Sequence, residues 1–411
     1  MEFIADFHIH SKYSRATSRS MDIKNLADWA KLKGINLMGT GDFTHHLWLE
    51  ELKHYLEDCG NGLYQYNGIY FILTAEVSSI YSKRGKTYRI HNLIFAPSFK
   101  IVDKINEKLS RIGNLASDGR PILGLDAAEL ARIVFDIDEN CMIIPGHIWT
   151  PWFSLFGSMS GFDKIEDCFE EQTPKIFALE TGLSSDPEMN WRLSALDQYT
   201  LISNSDSHSP QKIGREANVF KCQLDYKTIR EVLRTKDKKS FLYTIEFFPQ
   251  EGKYHFDGHR LCGIRWSPEE TKEHNGKCPK CGKPVTVGVV NRVEKLSDRP
   301  AGFKPDNAIP FKNLIPLDEI IADARGVGKA SVAVEKDYRT FISKFGTEFE
   351  ILLKASKEDL LKSLPTKVAE GVLRVREGKV NIKAGYDGEY GIISIFDKEK
   401  PKETEQQLSL F

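Results

Sequence analysis

Residues 6–10 read Asp6-Phe7-His8-Ile9-His10, and the fold turns on how this stretch is read. It closes the apolar run Phe3–Phe7, which predicts a short buried strand. Residues two apart on a strand face the same side, so His8 and His10 can hold one ion together. Working outward, the arrangement recurs. Gly41-Asp42-Phe43-Thr44-His45 follows the expected strand Asn36–Thr40, Glu76 follows Tyr70–Ala75, and His91 opens Asn92–Ala96. Gly146-His147 follows Cys141–Pro145, and Asp206-Ser207-His208 follows Thr200–Ser203; one more strand is expected at Phe177–Leu179. Candidate ligands therefore sit at strand edges throughout: His8, His10, His45, His91, His147 and His208, with Asp42, Glu76 and Asp206. Buried groups of these types are costly unless paired or bound to metal. Imidazole with carboxylate suits zinc, manganese or iron. The set is too large for one tetrahedral zinc, so two or three divalent metals are expected: zinc, with manganese or magnesium as alternatives for activity. A bridging carboxylate would bring two ions to the spacing used in phosphoester hydrolysis.

Helical patterns fall between several of these strands, as in Met21–Lys33 with Ile23, Leu26, Ala27 and Ala30 on one face. Such alternation predicts a parallel α/β architecture with its chemistry at the C-terminal ends of the strands. The 411 residues exceed one ordinary core, and character changes along the chain. Residues 1–248 form the expected hydrolase, 249–305 a Gly-, Pro-, Cys- and His-dense zinc module, 306–396 a helical domain, and 397–411 a flexible tail. The net charge of −1 advertises no overall basic field, so any DNA-binding surface must be local. The N-terminus lacks the basic region of a signal peptide, no apolar run has the length of a membrane span, and seven cysteines do not suggest a disulfide scaffold. A cytoplasmic, nucleoid-associated protein is expected.

His8-x-His10, the Asp42 segment, Glu76, His91, Gly146-His147 and Asp206-x-His208, in this order, resemble the motifs of the PHP (polymerase and histidinol phosphatase) phosphoesterases. The resemblance covers residues 1 to about 245. It implies a distorted seven-stranded βα barrel with a trinuclear metal site. His8, His10, Glu76 and Asp206 would surround one metal. Glu76 would bridge to a second held by His91 and His147, and His208 would serve a third. His8, His10, Glu76, His147 and Asp206 are then the catalytic set. Many members have Asp-His at the second motif, whereas this chain has Asp42-Phe43 with His45 just beyond, which leaves Asp42 and His45 as candidates for the third ion.

Cys278-Pro-Lys-Cys281-Gly reads as a zinc knuckle. Cys262 with either His274 or His259 would complete it, and Cys262, His274, Cys278 and Cys281 form the favoured structural zinc site. A redox dithiol is the alternative, but no thioredoxin-like pattern surrounds the pair. From 251 to 310 there are 11 Lys/Arg against 8 Asp/Glu, too small an excess to mark a DNA surface. Further on, Arg325-Gly326-Val327-Gly328-Lys329 between two helical patterns resembles a helix-hairpin-helix turn, which would place Gly326, Gly328 and Lys329 on a DNA phosphate. An ordinary packing corner is the alternative. Ser363–Ala369 resembles a looser second copy.

The whole order, from barrel motifs through Tyr254-His-Phe-Asp-Gly-His-Arg260 and the cysteines to the Gly-Val-Gly turn and Gly385-Tyr-Asp-Gly-Glu-Tyr-Gly391, resembles the endonuclease Q family. That resemblance implies cleavage of damaged DNA 5′ to deaminated bases (uracil, hypoxanthine, xanthine) and at abasic sites. The aromatic stretch His147–Phe153 is a candidate wall for an extruded base or, equally, a lid packed on the barrel. Gln407-Leu408-Ser409-Leu410-Phe411 resembles, at every position, the bacterial clamp-binding pentapeptide, implying a DNA sliding clamp (β clamp) as partner. Two rivals stand beside this reading. A small-molecule phosphatase of histidinol-phosphate type would share the barrel without needing the zinc module. A non-catalytic clamp-associated scaffold would be expected to lose its ligands.

Overall fold

A computed structural model describes residues 1–396; the clamp-motif residues Gln407 to Phe411 lie outside the described residues. The chain builds a mixed α/β fold. Its main sheet has eleven strands, of which the site uses β1 (Glu2–Asp6), β2 (Leu37–Gly39), β3 (Ile69–Lys83), β4 (Lys86–Ala96) and β5 (Met142–Pro145). Strands β6 (Ala178–Glu180) and β7 (Thr200–Ile202) pair with each other in parallel, and β8 (Ala217–Lys221) and β9 (Phe241–Glu246) return to the main sheet.

The expected parallel order holds in part. β1–β2, β2–β3 and β6–β7 are parallel, with Ala5 opposite Leu37 and Leu37 opposite Tyr70. β3–β4, β4–β5, β1–β8 and β8–β9 are antiparallel. β3 runs well past Ala75 because it forms a hairpin with β4. Arg84 and Gly85 turn that hairpin with φ of 51° and 79°, the left-handed geometry that follows the twist of the strands. One hydrophobic cluster draws on all nine strands, among them Phe3, Leu37, Ile72, Phe95, Ile144, Ala178, Ile202, Phe220 and Phe241.

Helix α1 (Ile23–Lys33) starts on Asp22, whose side chain accepts from Asn25 N, and buries Ile23, Leu26, Ala27 and Ala30, the face its spacing predicts. α2 (Phe99–Ser110) and α3 (Ala127–Ile137) flank the long loop that carries Arg120. Towards the C-terminus, α4 (Leu317–Arg325) and α5 (Val332–Phe345) are joined by a short turn, and α6 (Thr366–Arg376) follows after the helical segments Glu350–Lys354 and Lys357–Ser363. They are tied to α1 by a buried ion pair. Lys33 Nζ lies 2.6 Å from Glu348 Oε2, and Tyr338 Oη donates to the same oxygen at 2.7 Å. Among the described residues, no helix is long and apolar enough to cross a membrane.

Candidate metal centre

His8 and His10 leave β1 and converge on Glu76 from β3. His8 Nε2 and His10 Nε2 lie 3.3 and 3.1 Å from Glu76 Oε2, and 3.6 and 3.1 Å from Asp206 Oδ1. The other oxygen of Glu76 faces a second group: His91 Nδ1 at 2.5 Å and His147 Nε2 at 3.2 Å. Two ligand clusters therefore share one carboxylate, His8/His10/Glu76/Asp206 and Glu76/His91/His147. The donors fit divalent ions. His8 Nε2, His10 Nε2 and Asp206 Oδ1 are buried without a hydrogen-bond partner, which is costly unless a ligand satisfies them.

The imidazoles are aimed by a further layer of bonds. His8 Nδ1 donates to Glu180 Oε1 at 3.0 Å and His10 Nδ1 to Asp42 Oδ1 at 3.0 Å, so each turns a bare Nε2 to the centre. His147 Nδ1 lies 3.1 Å from Thr150 Oγ1, and its backbone N–H donates to Glu180 Oε2 at 2.7 Å. Three of the site residues have left-handed backbones: Asp42 (φ 47°), His147 (φ 29°) and Asp206 (φ 46°). Each costs about 1–2 kcal/mol for a residue with a Cβ, and such strain persists where surrounding structure fixes it. Gly41 has a stricter reason, since a Cβ there would lie 2.2 Å from the carbonyl oxygen of Ile9.

Burial works against charge on His8, but Glu180, Glu76 and Asp206 override it and hold its pKa well above the usual imidazole value. Burial likewise opposes ionisation of Glu76, yet His91, Arg120 and His8 keep it well below the usual carboxylate range. Burial pushes His91 down to about 4 against the pull of Glu76, leaving it neutral. The carboxylates thus favour positive charge on His8, and a divalent ion bound between them would take the place of its proton.

The expected third-metal ligands are placed differently. Asp42 accepts from Ser11 N and Ser11 Oγ at 2.6 Å, from Ser14 Oγ at 2.9 Å and from His10 Nδ1. Three of those bonds fall on Oδ2 and the His10 bond on Oδ1, so in this structure Asp42 orients His10. His45 stands just before the helix His46–Tyr55 without a side-chain bond to it, and stacks on Tyr13 at 4.6 Å. His208 stands beside His10, ring centroids 4.6 Å apart, with Nδ1 donating to the carbonyl of Asp206 at 2.9 Å. Among the described residues no third cluster joins Asp42, His45 and His208. Glu180 and Arg120 were not anticipated. Glu180 ends β6 as Glu76 sits within β3, a carboxylate closing an apolar run, and that pattern was available in the sequence.

The cysteine cluster brings together His259, Cys262, Cys278 and Cys281, with all four ligand atoms within 4.8 Å of one another. This corrects the favoured set. His274 instead stacks on Trp266 at 4.4 Å, while His259 Nδ1 lies 3.8 Å from Cys281 Sγ. His259 lies on the hairpin strand Asp257–His259, whose partner is Ile264–Trp266, and this holds it over the knuckle. Four protein donors leave no open position, the pattern of a structural site. The aromatic stretch after His147 divides. Ile148 and Trp149 are core, whereas Trp152 meets Tyr254 at 5.3 Å and lines a cleft of about 540 Å³ with Asn291, Arg292 and Lys295. Gly326 ends α4 in the left-handed region, and Ser331 caps α5, so Gly326, Gly328 and Lys329 share one exposed turn. Lys329 also pairs with Glu319 at 3.0 Å.

Fold and site together define a metal-dependent hydrolase. Over 96% of its length the chain matches the crystal structure of the lesion-specific endonuclease PfuEndoQ from Pyrococcus furiosus, covering 95% of that chain at 33% identity with a TM-score of 0.86. A complex of endonuclease Q with a 27-mer duplex substrate bearing an abasic lesion matches at 33% identity with a TM-score of 0.85, over 98% of this chain and 100% of that one. The chain belongs to the endonuclease Q family. Protein YqxK of Bacillus subtilis is 30% identical over 95% of this chain and 98% of its own length. MJ0043 of Methanocaldococcus jannaschii is 36% identical over 65% of this chain, which spans only 34% of MJ0043. Residues 316–379 match the family model of the MJ0043 C-terminal domain.

Proposed function

We propose that this chain is a DNA repair endonuclease that hydrolyses the phosphodiester 5′ to deaminated bases (uracil, hypoxanthine, xanthine) and at abasic sites. One observation carries the reading: a buried carboxylate, Glu76, shared by two imidazole-rich clusters, in the first of which His8 Nε2, His10 Nε2 and Asp206 Oδ1 are buried without a hydrogen-bond partner. The full-length likeness to endonuclease Q, including a complex with an abasic duplex, supports DNA as the substrate. Divalent ions held there would supply Lewis-acid polarisation of the phosphate and activation of a water nucleophile. The protein's part is positional. Glu180 and Asp42 fix the His8 and His10 rings, while Asp206 and His208 border the opening.

We read β1–β9 as a distorted PHP-type barrel around the nine-strand core, the cysteine cluster as a structural zinc module, and α4–α6 as a helix-hairpin-helix-like DNA grip. A damaged base leaving the stack would enter the cleft beside Trp152 and Tyr254. The terminal pentapeptide would dock on a sliding clamp in the cytoplasm, presenting Leu408, Leu410 and Phe411 to apolar pockets at modest affinity. The decisive experiment uses end-labelled duplexes, each with one defined lesion, with and without chelator. Chelator-sensitive nicking 5′ to the lesion supports the reading. Turnover of a generic phosphomonoester without nicking would replace it with the small-molecule phosphatase. Removal of residues 407–411 should abolish clamp capture and leave nicking of short duplexes unchanged.

A further inference from the structure

Arg120 stands at the mouth of the centre. Its Nη1 donates to Glu76 Oε2 at 3.1 Å, the same oxygen that His8 and His10 approach. The side chains of His8, His10 and Glu76 have no solvent exposure, whereas Arg120 keeps 28%, Asp206 25% and His208 32%. These three residues therefore form the opening. The segment that carries Arg120 is pinned on both sides. Gly119 N donates to Tyr13 O at 3.1 Å, and Thr44 Oγ1 donates to Gly119 O at 3.1 Å. Just beyond, Ser78 N donates to Pro121 O at 3.0 Å, and Ile122 and Leu123 pair in parallel with Ser78 and Ser79 of β3. A Cβ at Gly119 would lie 2.3 Å from both Asp42 Oδ2 and Ser14 Oγ, so only glycine lets the backbone come this close to the residue that orients His10.

A fixed cation beside a site built for divalent cations is electrostatically unfavourable unless an anion joins it. Glu76, Asp206 and Asp118 all act on the guanidinium, but Glu76 and Asp206 belong to the ligand clusters, where bound ions would draw on the same charges. A guanidinium has five N–H donors in a planar fork suited to phosphate oxygens. One of them is bonded to Glu76, and part of the group faces solvent. We infer that Arg120 is a phosphate-binding residue of this centre, holding a non-bridging oxygen of the scissile phosphodiester at the opening beside Asp206. The inference rests on the phosphodiester reading above. In that role the guanidinium opposes charge that builds on the phosphate during cleavage, a stabilisation lost if its position shifts.

The test compares the full chain with Arg120→Lys and Arg120→Met. Metal content, melting temperature, calorimetric affinity of the metal-loaded protein for inorganic phosphate, and single-turnover nicking are measured together. Expected are unchanged melting and metal content, and a loss of phosphate affinity. Nicking should fall by about 10²-fold in the Met variant, the cost typical of removing one preorganised donor, with partial recovery in the Lys variant or on adding guanidinium ion. If the Met variant does not fold, the Lys variant decides by the same measurements. Wild-type phosphate affinity in the variants would overturn the inference. So would a loss of activity that tracks loss of metal, because Arg120 would then act only through Glu76. If the wild type binds phosphate through Arg120 yet nicks no lesion duplex, the proposed function fails while the phosphate site stands.

Discussion

The histidine–carboxylate centre and the cysteine cluster meet the same need, holding metal, in opposite ways. Ligands of the first sit on or beside strands that share the molecule's main cores, and His8, His10 and His147 are each aimed by a second bond, to Glu180, Asp42 and Thr150. The geometry is fixed by the protein, and an opening is kept at Arg120, Asp206 and His208. Ligands of the second sit on a short hairpin and the turns beside it, around a core of three buried residues, Trp266, Cys278 and Val285. There the ion would supply most of what holds the segment together. The difference teaches that donor type is only half of a metal site; the hydrophobic material behind the donors decides whether the metal serves chemistry or folding.

The largest expected effect tests the first half of that contrast. Asp206→Ala should lower nicking by on the order of 10³-fold, the upper end for loss of one preorganised group, while duplex affinity and melting temperature stay close to wild type. A variant that nicks at the wild-type rate with full metal content would remove Asp206 from the centre. The second half predicts the reverse signature. Cys278→Ser with Cys281→Ser should release one zinc per chain and unfold the module, seen as faster amide exchange confined to it. His259→Ala should release the same zinc, and His274→Ala should keep it. Retention in the first and release in the second would restore the set favoured on sequence grounds.

That last pair shows where the sequence was legible. Two-residue spacing at His8 and His10, and ligand-type residues ending one apolar run after another, pointed to more than one metal; the grouping of both clusters around Glu76 came from the resemblance to the PHP phosphoesterases, and the structure brings the same residues together. The zinc set was read one residue wrong although a cue existed: His259-x-x-Cys262 repeats the spacing of Cys278-x-x-Cys281. Glu180 was missed because the strand was ended one residue early, at Leu179. That Asp42 takes bonds from Ser11 and Ser14 as well as His10 could not be read from composition, because only the fold brings the two serines to it. Arg120 lies on a connection without periodicity, where only the fold brings it to Glu76. The antiparallel strands β8 and β9 escaped for a related reason, as no ligand follows them to mark their ends.

A smaller effect should separate the two regions by pH. Behind the histidine centre, burial pushes Glu246 up to about 8, against hydrogen bonds from Thr244, Ser203 and Thr181. Its folded pKa is raised above the unfolded value of about 4.3, so the folded state binds more protons across that interval. Its contribution is full below pH of about 4.3 and is lost progressively as pH rises to about 8. Melting temperature should therefore fall between pH 5 and 8, and Glu246→Gln should flatten that slope. An unchanged slope in the variant would assign the pH dependence to other groups.

The smallest expected effect falls on the turn between α4 and α5, which resembles neither metal site: it has no ligands and little burial. A Cβ at Gly328 would meet nothing within 4 Å, so Gly328→Glu should leave folding intact and change only the charge presented at the turn. If backbone amides there hold a DNA phosphate, the added carboxylate repels it, and affinity should fall severalfold for damaged and undamaged duplexes alike. Lesion preference and single-turnover rate at saturating protein should not move. Lys329→Ala should act in the same direction but weakly, because Lys329 shares Glu319 with Lys212 and its charge is partly spent within the protein. The matching change in salt dependence is a slope of log affinity against log salt shallower by at most about 1. An effect confined to one lesion would move this turn into the recognition cleft, and no effect on any duplex would leave it a packing corner between two helices.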